Sequence, residues 1–339
     1  MIPTSGGFST VGPAGGRAAR PPGRPTTAKA ETYGPVGLTP RHKGPLLPGR
    51  PFSVLSKPAV RPYSPFMPPN APSPRRTRLA AVDLDGTLLG PDHTISPANA
   101  AAVARLQAAG VEVVLASGRH YDAMQLYARQ LPGVHWVVSV QGAEVADLTR
   151  TRVLHQSFLP ATSAQHVLAL GQRLAYPALV YAHAGIITDS PAAIDAYAHH
   201  IGHHPRLVST EEFLATPTFK IVWVGEPEKL AALATNPAVS AMPTEKTRSH
   251  RHLFEFTQPG VTKATGLAAL AAHLGIARDA TFGFGDADND VPMFGWVRTS
   301  VAMPHGWPNA LARATHVAPA GPPETAFARG VDLILSAQS

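Results

Sequence analysis

The chain has no cysteine among its 339 residues, which excludes disulfides, zinc thiolate centres and cysteine nucleophiles. No stretch near the N-terminus offers the continuous apolar core of a signal peptide, and none elsewhere is long enough to span a membrane. The expected location is therefore the cytoplasm, with no membrane partner. A third scarcity is local: residues 1–78 contain one acidic side chain against 12 Lys and Arg. The same segment holds 17 Pro and 10 Gly and no long apolar pattern. Such a composition buries too little surface to offset its ordering entropy, so a disordered basic tail is expected. Its many prolines argue against the amphipathic helix of a transit peptide. A plainer alternative is a translation start further along, Met67 being the other methionine before residue 83.

The charge divides at the same place. The tail carries +11 and the remaining 261 residues −4, which together give the net +7 of the whole chain. The high isoelectric point belongs to the tail, and the rest offers no surface specific for nucleic acid. A chain of 261 residues is long enough for one large domain or two smaller ones.

What is present from Leu79 onward is an alternation of strand and helix. "LAAVDLD" reads as a buried strand, and "SPANAAAVARLQAAG" as a helix with Ser96 as N-cap, Pro97 in its first turn and Gly110 as C-cap. "VEVVLASGR", "HYDAMQLYARQL" and "HWVVSVQGA" continue as strand, helix and strand. This order predicts an α/β fold, a doubly wound parallel Rossmann-like sheet whose ligand sits beyond the carboxyl ends of the strands. Those ends are polar or small: Asp83-Leu84-Asp85-Gly86-Thr87, Ser117-Gly118-Arg119 and Ser139-Val140-Gln141-Gly142. Carboxylates at the end of a buried strand are costly unless paired or bound to a cation, so this stretch calls for a cation, a substrate or both.

Between Pro160 and His252 the rhythm changes. Helical "SAQHVLALGQRL" leads to "ALVYAHAGIITD" and another helix, then to "TFKIVWVGEPEKLAALAT" and strand-like "HLFEFT". Strand pairs with intervening helices suggest a separate α+β module. The first pattern then resumes with "GVTKATGLAALAAHLGI", carrying Lys263 in the first turn, and with "TFGFGDADNDVPMF", a strand ending in Asp286 with Asp288, Asn289 and Asp290 behind it. The expected organisation is a tail (1–78), a core (79–159), an inserted cap (160–252) and the remainder of the core (253–339).

Asp83-x-Asp85-Gly86-Thr87, Ser117-Gly118-Arg119, Lys263 and Gly285-Asp286-x-x-Asn289-Asp290 occur in this order. Their spacing resembles the haloacid dehalogenase superfamily, in particular its Cof-type phosphatases, and the likeness runs from Leu79 to Leu335. It implies a Mg2+-dependent hydrolase acting on small phosphorylated metabolites through an aspartyl-phosphate. Asp83 would be the nucleophile and Asp85 the acid and base. Magnesium would be held by Asp83, the backbone carbonyl of Asp85 and Asp286, with Asp290 as an outer partner orienting a bound water or Lys263. Ser117, Gly118 and Lys263 would hold the phosphoryl oxygens, with Asn289 as a further phosphate contact. Candidate substrates are sugar phosphates, flavin mononucleotide and pyridoxal phosphate. The expected assembly is a monomer or homodimer. A phosphomutase of the same superfamily would use the same aspartates; a non-enzymatic binder acting through the tail would leave the acid set unexplained.

Three departures from the family pattern bear on the substrate entrance. Gln141 stands where Asn is common, Ala264 follows the lysine in place of Gly, and "MPHGWPNA" lengthens a short loop. Singly, Asp-x-Asp reads as a solvated loop and Ser-Gly-Arg as a turn. "DADND" lacks the glycine and terminal glutamate of a calcium-binding EF-hand loop. His199 and His203 are four apart, but no carboxylate joins them, and a helix end is the simpler reading. Tyr176, Tyr181 and Trp223 are expected to pack the cap.

Overall fold

The computed structural model describes residues 77–201 and 204–336. Most of the expected tail, and His203, lie outside these residues; His199 falls in a helix, its side chain not among those described.

Among the described residues, fourteen strands form two sheets. In chain order they are β1 (Arg78–Val82), β2 (Val111–Ala116), β3 (Trp136–Ser139), β4 (Glu144–Asp147), β5 (Val153–Gln156), β6 (Ala178–Ala182), β7 (Gly185–Thr188), β8 (Arg206–Leu207), β9 (Thr218–Val224), β10 (Glu245–Thr247), β11 (Leu253–Thr257), β12 (Thr281–Gly285), β13 (Thr299–Ala302) and β14 (His316–Val317). The larger sheet runs β14-β13-β12-β1-β2-β3-β4-β5. Its first six strands are parallel, and β4 and β5 add an antiparallel hairpin at one edge. This is the doubly wound sheet that the alternating pattern predicts; the hairpin was not foreseen, because four-residue strands with a half-exposed outer member carry little apolar signal.

The two faces of that sheet are read off its alternation. Ala80, Val82, Val113 and Leu115 face one core with residues of helices Pro97–Ala108, Tyr121–Ala128 and Ala326–Ser336. Leu79, Ala81, Val114 and Ala116 face the other, with helices Lys263–Leu274 and Val291–Trp296. Neighbouring side chains on a strand point to opposite faces, so a continuous apolar run signals burial on both sides. Truncating such a residue, Leu115→Ala for example, costs about 2–5 kcal/mol.

Helix Pro97–Ala108 begins as read: Ser96 accepts a hydrogen bond from the Asn99 amide and Pro97 follows. Its end falls one residue earlier than read. Ala109 is the C-cap, and Gly110 comes after it with φ +76°, the position where a left-handed residue turns the chain away from a helix.

The smaller sheet, β10-β11-β9-β6-β7-β8, is antiparallel except for the β7–β8 pair. "ALVYAHAGIITD" forms the β6–β7 hairpin, and the last long strand, β11, extends to Thr257, on the far side of residue 252. Trp223 packs against Tyr176, stacked at 5.5 Å, and Phe256, tilted at 4.5 Å, the packing role expected for the first two. Among the described residues, no helix is long and apolar enough to cross a membrane.

Candidate active site

Strands β1, β2 and β12 lie side by side and parallel, so their carboxyl ends deliver three loops to one place. After β1 the chain turns sharply: the Leu88 amide donates to Asp83 O (3.2 Å) and the Leu89 amide to Leu84 O (2.9 Å). Gly86 sits inside this turn at φ +74°, and a Cβ there would stand 2.5 Å from Asp286 Oδ2. Glycine is thus required both by the backbone and by the neighbouring acid.

The sequence-predicted acids and lysine converge. Lys263 Nζ donates to Asp83 Oδ1 (2.5 Å) and Asp290 Oδ1 (2.7 Å), and all three side chains are buried. The other oxygen of Asp290, Oδ2, accepts from the backbone amides of Asp286 (2.9 Å) and Ala287 (3.1 Å). Thr87 Oγ1 donates to Asp286 Oδ1 (3.1 Å). One carboxylate oxygen from each of Asp83, Asp286 and Asp290 lies within 4.8 Å of the others.

Burial and mutual repulsion dominate the electrostatics here. Desolvation, helped by the charges of Asp290 and Asp85, pushes the Asp83 carboxyl up to about 7 despite Lys263. Burial, then Asp83 and Asp290, push Asp286 well above its ordinary value. Burial disfavours the Lys263 ammonium, but Asp290 and Asp83 outweigh it and hold the lysine charged. Fully ionised, three acids around one lysine would carry net negative charge in a low dielectric, which is why the carboxyls are pushed up and why a hard cation is favoured there. The donor set is all oxygen, which suits magnesium. Both oxygens of Asp290 are already engaged, whereas Asp83 keeps Oδ2 and Asp286 keeps Oδ2 without a protein hydrogen bond among the described contacts. The residues therefore fit a cation held by Asp83 and Asp286, with Asp290 as an outer partner.

Asp85 stands apart from this cluster. Arg119 grips it with two bonds, Nε to Oδ2 (2.7 Å) and Nη2 to Oδ1 (2.6 Å), and His93 Nδ1 lies 3.5 Å from Oδ1. Burial opposes ionisation, but the bonds from Arg119 and His93 outweigh it and hold the Asp85 carboxyl below the usual range. The Asp85 side chain takes no part in the acid cluster. Only its backbone carbonyl is left as a metal donor.

Ser117 closes β2 and its Oγ accepts from the Arg119 amide (3.2 Å). Gly118 leaves room for Gln141: a Cβ at residue 118 would meet Gln141 Nε2 at 2.5 Å. Asn289 is buried, and its Nδ2 donates to Gln141 Oε1 (3.2 Å).

Asp83, Asp85, Ser117, Gly118, Asp286 and Asn289 form one wall of a cavity of about 360 Å3, roofed by the smaller sheet. From that side come Tyr181, Tyr197, Lys220, Ser249 and Glu255. Tyr181, expected only to pack, faces the cavity, with Lys220 Nζ 4.1 Å above its ring and its hydroxyl bonded to that of Tyr197. Lys220 donates to Gly118 O (2.6 Å) across the two parts of the fold and pairs with Glu255 on the neighbouring strand of its own sheet (3.1 Å). The lengthened loop borders the entrance: His305 Nε2 donates to Gly86 O (2.8 Å), the Trp307 amide to Asp286 O (2.6 Å), and the Arg248 guanidinium lies 5.5 Å from the Trp307 ring centre.

The sequence reading gave no role to Arg119, His93, Lys220 or Glu255. A signal existed for the last two: each is a lone charge in an apolar strand, "TFKIVWV" and "LFEFT", where an unpaired charge would not be tolerated.

The chain is similar to known proteins in sequence and in fold. The chain is 31% identical over 234 residues to an HMP-PP phosphatase of Serratia proteamaculans (strain 568), covering 68% of this chain and 85% of that protein. It is 29% identical over 247 residues to an HMP-PP phosphatase of Cronobacter sakazakii, covering 71% and 89%. Among solved structures, a phosphatase of the haloalkanoate dehalogenase superfamily from Bacteroides thetaiotaomicron superposes with a TM-score of 0.65 at 21% identity, covering 80% of this chain and 98% of that one. The family model for haloacid dehalogenase-like hydrolases matches residues 80–321. The match over most of its length and the relatives together show that the chain belongs to the haloacid dehalogenase-like hydrolases and is a phosphatase.

Proposed function

We infer that the protein hydrolyses small phosphorylated metabolites by transferring the phosphoryl group to Asp83 and then to water. The observation that carries this reading is the environment of Asp83: one oxygen fixed by Lys263, the other without a protein hydrogen bond among the described contacts, in the lining of the cavity between the two sheets. A carboxylate held in one orientation is a nucleophile positioned for in-line attack. Lys263 lowers the electrostatic cost of bringing a phosphate to this acidic site, and Ser117, Gly118 and Asn289 receive its remaining oxygens. Magnesium, held by Asp83, the Asp85 carbonyl and Asp286, supplies charge neutralisation of the phosphoryl group when bound.

Asp85 serves the leaving oxygen and afterwards the attacking water. Both of its oxygens accept from Arg119, which favours the ionised form, so protonating Asp85 to serve the leaving oxygen weakens that fork. The segment 160–252, with β11, acts as a cap that shuts water out and contacts the leaving group through Tyr181, Tyr197 and the Arg248–Arg251 loop. Sugar phosphates, flavin mononucleotide, pyridoxal phosphate and HMP-PP, the compound for which the Serratia and Cronobacter relatives are named, form the substrate panel.

The test is phosphate release from that panel by the full chain, with and without magnesium, alongside a mutase substrate with its bisphosphate activator. Magnesium-dependent release from at least one member is the expected result. Isomerisation in place of release would assign the chain to the mutases, and silence towards every compound would end the phosphatase reading.

A further inference from the structure

The turn after β3 has an uncommon backbone. Val140, Gln141 and Gly142 follow one another at φ +51°, +62° and +97°. Left-handed geometry is sterically costly for a non-glycine residue, and more so for a β-branched one. Strain of this kind persists where the surroundings over-determine it, and it clusters at functional sites.

The surroundings here are the proposed phosphate-binding elements. The Val140 amide donates to Arg119 O (3.0 Å) and the Gln141 amide to Ser117 O (3.0 Å). Gly142 lies against the start of the Lys263 helix, so closely that a Cβ would stand 2.1 Å from Thr262 O. Gln141 itself reaches both ways: Nε2 donates to Glu255 Oε2 of the cap (2.8 Å), and Oε1 accepts from Asn289 Nδ2 (3.2 Å). One turn thus touches the Ser117–Arg119 loop, the Lys263 helix, Asn289 and the cap.

The order of donors along this chain is fixed by chemistry. An ionised carboxylate only accepts, so the side-chain NH2 of Gln141 must face Glu255 and its carbonyl must face Asn289. A carbonyl only accepts, so Asn289 must turn its own NH2 towards Gln141. Lys220, donating both to Glu255 Oε2 (3.1 Å) and to Gly118 O (2.6 Å), anchors the carboxylate from the cap side. Every member is buried, with exposures of 0–6%, so water does not compete to reverse the sequence. The second N–H of Asn289 is then the one left for a ligand, and its Oδ1, buried without a partner, is turned away from Gln141. Flipped, Asn289 would offer an anion an acceptor.

We propose that Gln141 is a positioning residue that transmits the seating of the cap to Asn289, so that Glu255 of the cap fixes which face of the Asn289 amide meets the phosphate. The proposal rests on the phosphatase reading above. It explains the departure at this position, because asparagine, one methylene shorter, does not span both contacts, while it suits a left-handed turn.

The experiment measures affinity for inorganic phosphate by calorimetry with magnesium present, together with kcat and KM on the best substrate of the panel. In Gln141→Asn, phosphate binding and KM are expected to weaken about tenfold, the worth of one hydrogen bond to a charged group. The melting temperature should stay within a few degrees and kcat within about twofold, since the contact is made in ground and transition states alike. Combining Gln141→Asn with Asn289→Ala should add no further loss, because both remove one interaction. Glu255→Gln, which frees Gln141 to flip, should weaken phosphate binding in the same direction. Wild-type phosphate affinity in Gln141→Asn, additive losses in the double variant, or a loss that tracks a fall in melting temperature each overturns the relay. Should Gln141→Asn not fold, Gln141→Met takes its place in the cycle with the same outcomes. A wild-type chain that neither binds phosphate nor hydrolyses any substrate overturns the phosphatase reading, and the relay with it.

Discussion

Two buried clusters of charge face each other across the cavity, and they are built on opposite principles. On the core side, Asp83, Asp286 and Asp290 share one lysine, and the first two carboxyls are pushed above their ordinary values. On the cap side, Lys220 and Glu255 form a matched pair whose remaining capacity is taken up by Gly118 O, Gln141 and Ser249. The core cluster is left short of positive charge and the cap cluster is neutral. Charge that a fold tolerates at its own expense marks the place where a ligand supplies the difference, whereas charge that is satisfied internally sets geometry.

The contrast breaks most sharply at Asp83. Asp83→Asn should lower turnover by at least about 10^4-fold while the protein stays folded, since Lys263 keeps Asp290 as a partner. Mass spectrometry of quenched reactions should show phosphoryl-enzyme in the wild type and none in the variant. Near wild-type, magnesium-dependent activity in Asp83→Asn would refute its role as nucleophile.

Asp85→Asn comes next, with a loss of about 10^2–10^4-fold that depends on the leaving group. An aryl phosphate, whose leaving group departs without a proton, should suffer least in ester cleavage and an alkyl phosphate most. Equal losses on the two would remove Asp85 from proton transfer.

On the cap side the same kind of substitution should act on stability. Lys220→Met leaves Glu255 buried without its cation, which costs about 3–5 kcal/mol; urea unfolding of the variant reads this directly. Asp83→Asn, by contrast, removes a charge the fold disfavours and should leave unfolding free energy unchanged or raised. If both variants lose stability alike, the distinction between the clusters fails.

The smallest effect is a pH dependence. A carboxyl whose folded pKa is raised binds more protons folded than unfolded between its two values, so its penalty is absent in acid and grows as pH rises from 3.8 towards about 7 for Asp83. Protons and a cation compete for this site, so magnesium should raise the melting temperature by a few degrees more at pH 8 than at pH 5.5. A shift equal at both values would show that the raised carboxyls do not face the cation.

Much of this molecule was legible in its sequence. The parallel order of the core followed from strands alternating with helices, and the acids, Ser117 and Lys263 stood at strand ends and in a helix's first turn, where local pattern places them. The β4–β5 hairpin escaped because its strands are short and its outer face is wet. Arg119 was visible as part of a motif, but its grip on Asp85 joins residues 34 apart in sequence, and no periodicity reports such a distance.

By itself the sequence determined the alternation of strand and helix, the two-sided burial of the first strands, and that carboxylates follow strands β1 and β12, because those properties follow from side-chain chemistry and nearest neighbours along the chain. Tertiary structure alone decided how each charge is shared: Asp290 between Lys263 and two amides, Asp85 within the Arg119 fork, Glu255 between cap and core, and Gln141 as the link to Asn289 across 148 positions. Electrostatic and hydrogen-bond energies depend on distances of a few ångströms in a low dielectric, and those distances exist only once both sheets have closed on the same cavity.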